Sequence, residues 1–284
     1  MFKKIFFAAA LLLASELGAK PVVIASIAPV EYLAKAVGGD KIEVQSLAKG
    51  DVHSYEPKPN DMKAVAKARI FIAAGLEFEE AWIPRFKASA KNLVVVKSDA
   101  KIAKLKEERG EQVEHDEKHE AHADPHVWLN PMLAITMARN ISDALIDMDK
   151  ANKDFYLENF QKLMNDLLAF DESAKESLAG LKNRKFVVYH PAWGYFAAHY
   201  DLEQISIERN GKEPKIDEMA STVKMIKDEN IKVIFADPNR SQKSAQILAS
   251  QTGAKVELLD PLGYNLLENL KIAVGAIKDA NSPK

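Results

Sequence analysis

Residues 156–181 read YLENFQKLMNDLLAFDESAKESLAGL, with apolar side chains at Tyr156, Phe160, Leu163, Leu167, Phe170, Ala174, Leu178 and Leu181. Spacings of three and four alternate with almost no break, which is the period of one amphipathic helix. Nearly 30 residues without Pro, and without Gly before Gly180, make a rod about 40–45 Å long at 1.5 Å per residue. We assign 151–182 to this connecting helix.

The segments on either side show what the rod connects. Upstream, the β-branched runs PVVIAS, KIEVQSL, RIFIAA and NLVVV alternate with segments of helical period such as PVEYLAKAVGG and NDMKAVAKA. Downstream, KFVVY, LEQISI, KVIFA and KVELL alternate with helical stretches near 192–199, 216–229 and 242–252. Strands interleaved with helices imply parallel sheets. The expected fold is therefore α/β: two lobes with parallel sheets flanked by helices, one over 20–150 and one over 183–284, joined by one long rigid helix. Such a spine resists wide hinge closure.

Two segments stand outside that alternation. Residues 1–19, MFKKIFFAAALLLASELGA, have the layout of a secretory signal peptide, with two lysines, an apolar stretch and small residues near the end. The apolar run is about half the roughly 20 residues that a bilayer span needs, and we expect cleavage after Ala19. The absence of cysteine excludes a disulfide framework and a lipid-bearing cysteine. A soluble protein of the periplasm is expected. Removing Lys3, Lys4 and Glu16 takes the formal charge from −2 to −3, and nucleic-acid binding normally needs a basic surface.

Residues 106–124, KEERGEQVEHDEKHEAHAD, form the second such segment. Eight acidic and two basic residues lie between Glu107 and Asp124, too little apolar surface to offset ordering entropy, so a mobile acidic loop is expected. His115, His119 and His122 in it are candidates for weak accessory metal contacts. HEAH at 119–122 fails as a metalloprotease motif, because that chemistry needs two histidines four apart on a helix.

Four residues sit where ligands gather in α/β sheets. His53 follows KIEVQSL and a Gly-Asp turn, His190 ends KFVVY, Asp260 ends KVELL, and His126 stands before VWLNP, where Pro131 suits the first turn of a helix. The carboxyl edge of a parallel sheet is the usual binding edge. Two candidates come from each lobe, and three imidazoles with one carboxylate suit zinc. Each also reads as an ordinary turn residue, and spacing alone does not join positions so distant. His199, late in a helix beside Tyr200, reads as packing.

A resemblance joins them. GDVHSYEPKPNDMKAV, ADPHVWLNP, VVYHPAWGYFAAHY and GAKVELLDPLG resemble, in order, the ligand-bearing segments of the periplasmic zinc-binding proteins of the ZnuA type, components of ABC importers. The resemblance implies two α/β lobes, a rigid connecting helix and one interlobe metal site with ligands His53, His126, His190 and Asp260. In relatives water also occupies the carboxylate position. Manganese-selective relatives offer a carboxylate at the third segment, so His190, with Trp193, Tyr195 and Phe196 after it, argues for zinc. Val52 stands where many relatives have Pro. The loop resembles the His- and acid-rich insertion of zinc-specific members.

The implied function is capture of zinc and its delivery to a membrane permease, by a monomer that is not an enzyme. The alternatives are another transition metal such as manganese, a secreted zinc hydrolase using an open fourth position, and a surface adhesin. Neutral imidazoles with one carboxylate imply a net positive site when zinc is bound, and an affinity that falls as pH drops through about 6.5.

Overall fold

A computed structural model describes residues 19–106, 123–208 and 214–281. Strands β1 (Val22–Ala25), β2 (Glu43–Ser46), β3 (Ile70–Ala73) and β4 (Val94–Lys97) pair in parallel in the order β2-β1-β3-β4. Strands β5 (Lys185–Val188), β6 (Glu203–Ser206), β7 (Val233–Ala236) and β8 (Lys255–Leu258) repeat that arrangement as β6-β5-β7-β8. Central strands β3 (IFIA) and β7 (VIFA) are buried throughout, as expected where helices cover both faces. Edge strand β2 (EVQS) alternates exposed and half-buried residues. All eight strand-forming runs of the sequence appear as strands. Strand order reverses between β1 and β3 and between β5 and β7, which opens a crevice at the carboxyl edge of each sheet.

The helices are α1 (Ala28–Gly38), α2 (Pro59–Val65), α3 (Glu77–Ser89), α4 (Pro131–Met148), α5 (Lys153–Ala179), α6 (Gly194–His199), α7 (Ile216–Asp228), α8 (Lys243–Thr252) and α9 (Leu266–Asn281). The connecting helix is α5, 27 residues and so about 40 Å long. It is shorter than 151–182 because a 3-10 turn, Lys150–Asn152, precedes it and Gly180 caps it. Among the described residues no helix is long and apolar enough to cross a membrane.

The stripe from Tyr156 to Leu178 is buried and Leu181 half-buried. Along this face α5 packs on α1, α4 and α9. One apolar cluster runs from Val23 in β1 through Leu163 and Leu167 to Phe186 in β5 and Leu270 in α9, so both lobes share a core through α5. His199 is a packing residue, its Nε2 donating to the buried Asp171 of α5 at 2.6 Å.

Helix α3 carries Phe78, Trp82 and Phe86 at spacings of four on its packed side, and Pro84 lies inside it. Its anchor is Glu79, a buried carboxylate that accepts the backbone N–H groups of Ala74, Gly75 and Leu76 at 2.8, 2.8 and 3.0 Å. Burial pushes its pKa up to about 7 against the pull of those donors.

Two neighbouring leucines test the shared core. Leu167 is fully buried and Leu168 is 36% exposed. Leu167→Ala is expected to cost about 2–5 kcal/mol in chemical denaturation, and Leu168→Ala no more than about 0.5 kcal/mol.

Candidate metal centre

The loop after β2 carries His53. Gly50, at φ +85°, turns the chain where a side chain would be strained. Asp51 Oδ1 then accepts His53 N–H at 3.1 Å, and Asp51 Oδ2 accepts the Ser54 hydroxyl at 3.1 Å. Val52 is buried, so packing rather than a Pro stiffens this turn. Two residues on, the Tyr55 hydroxyl donates to Asp61 in the first turn of α2 at 2.9 Å, and its ring meets Phe78 edge-on.

His126 is set by its neighbours in ADPHVWLNP. Asp124 Oδ1 accepts both His126 N–H, at 2.9 Å, and Nδ1–H, at 2.7 Å. Because a carboxylate accepts, this partner assigns the ring proton to Nδ1 and leaves the Nε2 lone pair free. A 3-10 turn, Val127–Leu129, buries Trp128, whose Nε1 donates to Pro261 O in the other lobe at 2.8 Å. Asn130 caps α4 by accepting Met132 N–H at 2.9 Å, with Pro131 in the first turn.

His190 follows β5. Its Nδ1–H donates to Glu208 Oε2 at 2.9 Å. Glu208, just beyond β6, is 3% exposed, and Arg240, just beyond β7, grips both of its oxygens at 2.8 Å. Trp193, Tyr195 and Phe196 are all buried. The Tyr195 hydroxyl donates to Asp124 O and accepts Leu105 N–H, each at 2.8 Å, which ties α6 to the segment bearing His126.

The three imidazoles converge. His53 Nε2 lies 3.2 Å from His190 Nε2, which lies 3.4 Å from His126 Nε2. Among the described residues, these form the group of His, Cys, Asp or Glu side chains whose donor atoms all lie within 4.8 Å of one another. They border a cavity of about 10 Å³ that also touches Asp237, Arg240 and Leu262. That room suits one water-sized guest rather than an organic solute. Burial, then repulsion from His126, His190 and Arg240, lowers the His53 pKa to about 3. Burial, then His126 and Arg240, holds His190 well below its ordinary value. Both rings therefore offer lone pairs at neutral pH.

Asp260 is not in this group. The turn into Pro261 commits its Oδ1 to Asn239 Nδ2–H at 2.9 Å and Leu262 N–H at 2.8 Å, while its backbone oxygen accepts from Asn269 Nδ2 at 2.6 Å. Beyond the donor atoms the surroundings are acidic. Asp51, Asp124 and Glu208 place three carboxylates behind the histidines against one guanidinium, Arg240.

The ends of the acidic segment need correction too. Lys106 and Ala123 form an antiparallel bridge, and Asp124 is 6% exposed with its N–H on Leu105 O. Residues 107–122, with His115, His119 and His122, lie outside the described residues, as does the leader to residue 18.

A family model described as ZnuA, zinc-uptake complex component A, periplasmic, matches residues 23–280. A putative metal-binding protein of Treponema pallidum is 34% identical over 253 residues, covering 86% of this chain and 80% of its own. The high-affinity zinc uptake system protein ZnuA of Bacillus subtilis is 30% identical over 284 residues, with coverages of 93% and 88%. Among solved structures, a crystal structure of ZnuA superposes with a TM-score of 0.87 at 35% identity, over 93% of this chain and 100% of that one. With its two parallel four-stranded sheets, its long joining helix and its three converging histidines, this chain belongs to the ZnuA family of metal-binding solute-binding proteins.

Proposed function

We propose that this chain is a periplasmic solute-binding protein that captures zinc between its lobes through His53, His126 and His190 and delivers it to an ABC permease. The observation that carries the reading is the pair of Nε2 separations, 3.2 and 3.4 Å. A tetrahedral zinc with bonds of 2.0–2.1 Å to nitrogen requires ligand separations of about 3.3–3.4 Å. Three imidazole nitrogens are also a softer set than manganese favours. A relative named for zinc uptake and another named for zinc binding support the choice.

The fourth position falls to water, or to Asp260 once its carboxylate leaves Asn239 and Leu262. Hydrolysis is disfavoured because Glu208, the buried glutamate nearest the histidines by bonding, faces Nδ1 of His190 and is gripped by Arg240. It is thus turned from the face where a metal-bound water would lie. Residues 1–19 act as the export signal, and His115, His119 and His122 gather zinc weakly without entering the main site.

Two measurements test the site assignment. Competition titration of metal-free protein is expected to favour zinc over manganese and to give one tight equivalent, lost in His190→Ala; a preference for manganese refutes the zinc assignment. Deleting residues 111–122 is expected to leave that tight equivalent intact, and its loss would place a loop histidine in the main site.

The pH dependence follows from the direction of the shifts. A pKa lowered on folding keeps the imidazole neutral, so protons compete for His53 and His190 only well below 6.5. Between pH 7 and 5.5 zinc affinity should fall far less than the several hundredfold expected of three histidines all titrating near 6.5. Over the range from 6.5 down to about 3, the unfolded chain takes up protons that folded His53 refuses. The metal-free protein therefore loses stability as pH falls, which thermal melts across that range would reveal.

A further inference from the structure

Arg240 touches more than Glu208. Its Nη1 donates to both Glu208 oxygens at 2.8 Å, and its Nη2 crosses the cleft to Asp51 Oδ1 at 3.0 Å, a partner 189 residues away in sequence. That Asp51 oxygen also accepts the backbone N–H of His53, and Glu208 Oε2 accepts Nδ1–H of His190. One guanidinium therefore closes a continuous chain of hydrogen bonds from the His53 loop of the first lobe to His190 of the second. We propose that Arg240 is a positioning residue that ties the two halves of the metal site together, so that the His53 loop and His190 hold and release the ion as one unit.

The geometry favours a tie over simple charge neutralisation. Neutralising Glu208 requires only the contact within the second lobe, whereas Arg240 also spans to a carboxylate that is 36% exposed and could be solvated by water. The planar fork matches two carboxylates at once, which the point charge of a lysine does not. A cation beside a cation site repels the cargo. If charge alone mattered, removing Arg240 would therefore tighten zinc binding; if the tie matters, removing it loosens the site.

The inference rests on the reading that the three histidines hold zinc, so its test has one arm with metal and one without. In the first, zinc release into excess EDTA is followed by stopped flow for the wild type, Arg240→Gln, Arg240→Lys, Asp51→Asn and the Arg240→Gln/Asp51→Asn double variant. Loss of a partner that orients a ligand typically weakens metal binding by about 10–100-fold. Arg240→Gln and Asp51→Asn should each speed release by about tenfold or more. The double variant should match the faster single, and Arg240→Lys should not restore the wild-type rate. In the second arm, hydrogen–deuterium exchange on metal-free Arg240→Gln should rise at residues 50–54 of the first lobe as well as around Glu208. Wild-type or slower release in the variants, multiplicative effects in the double, or faster exchange confined to the second lobe would each overturn the proposal. If the wild type fails to bind zinc, the histidine reading fails, and exchange at 50–54 still decides whether the tie exists.

Discussion

The Nε2 atoms of three imidazoles lie 3.2 and 3.4 Å apart, a spacing at which facing lone pairs repel unless a proton or a cation lies among them, and the rest of the molecule holds them there. Each histidine sits on a loop at the edge of a lobe, and each loop is fastened by its own bonds. Asp124 and Glu208 occupy the far nitrogens of His126 and His190, and Asp51 holds the backbone of His53. Burial discourages protonation as a relief of the strain. A dication at the proposed site would remove that repulsion and meet donors whose orientation cost has been met on folding. This is preorganisation in the sense that lowers the cost of binding.

Holding donors from two lobes in register needs a frame that does not flex, and α5 supplies it. Its apolar face lies in a core that both sheets share. Opening the lobes widely would expose side chains such as Leu163 and Leu167, at roughly 25 cal/mol for each Å² of apolar surface. Trp128 bonded to Pro261, and Tyr195 bonded to Asp124, pin the cleft from the site side. Wide opening at a hinge is therefore costly, and the His53 loop, tied to the second lobe through Asp51 and Arg240, lies at the edge of this frame.

Much of this frame is legible in the sequence because its parts are local. Eight short β-branched runs became eight strands, and the stripe of α5 announced a helix buried along one side. Helix α3 was legible only in part, since Phe78, Trp82 and Phe86 keep a spacing of four while Pro84 and the buried Glu79 interrupt the polar face. His53 and His190 follow strands on the carboxyl edge that the binding-edge rule marks and His126 stands at the mouth of a helical segment, yet only the resemblance joined them. The same rule marked Asp260, where the following Pro forms a turn that commits Oδ1 elsewhere. Glu208 and Arg240 also lie just past strands on that edge, and that position was the available signal. As charged loop residues they read as solvated, and their burial arises only when segments distant in sequence close on one another.

The placement of charge bears on how a carrier can bind tightly and still let go. A thiolate cage neutralises zinc through direct bonds and suits permanent structural sites. At the proposed site two of the carboxylates bond the far nitrogen of an imidazole, where they would strengthen the donor and add a negative field without bonding to the ion. Coulomb attraction falls with distance and is screened further as water enters. An ion held this way loses both its bonds and much of the supporting field once a ligand loop moves. A carboxylate bound directly to the metal would add a further, stronger bond to break. Charge set one imidazole away from the cargo therefore reconciles capture with delivery.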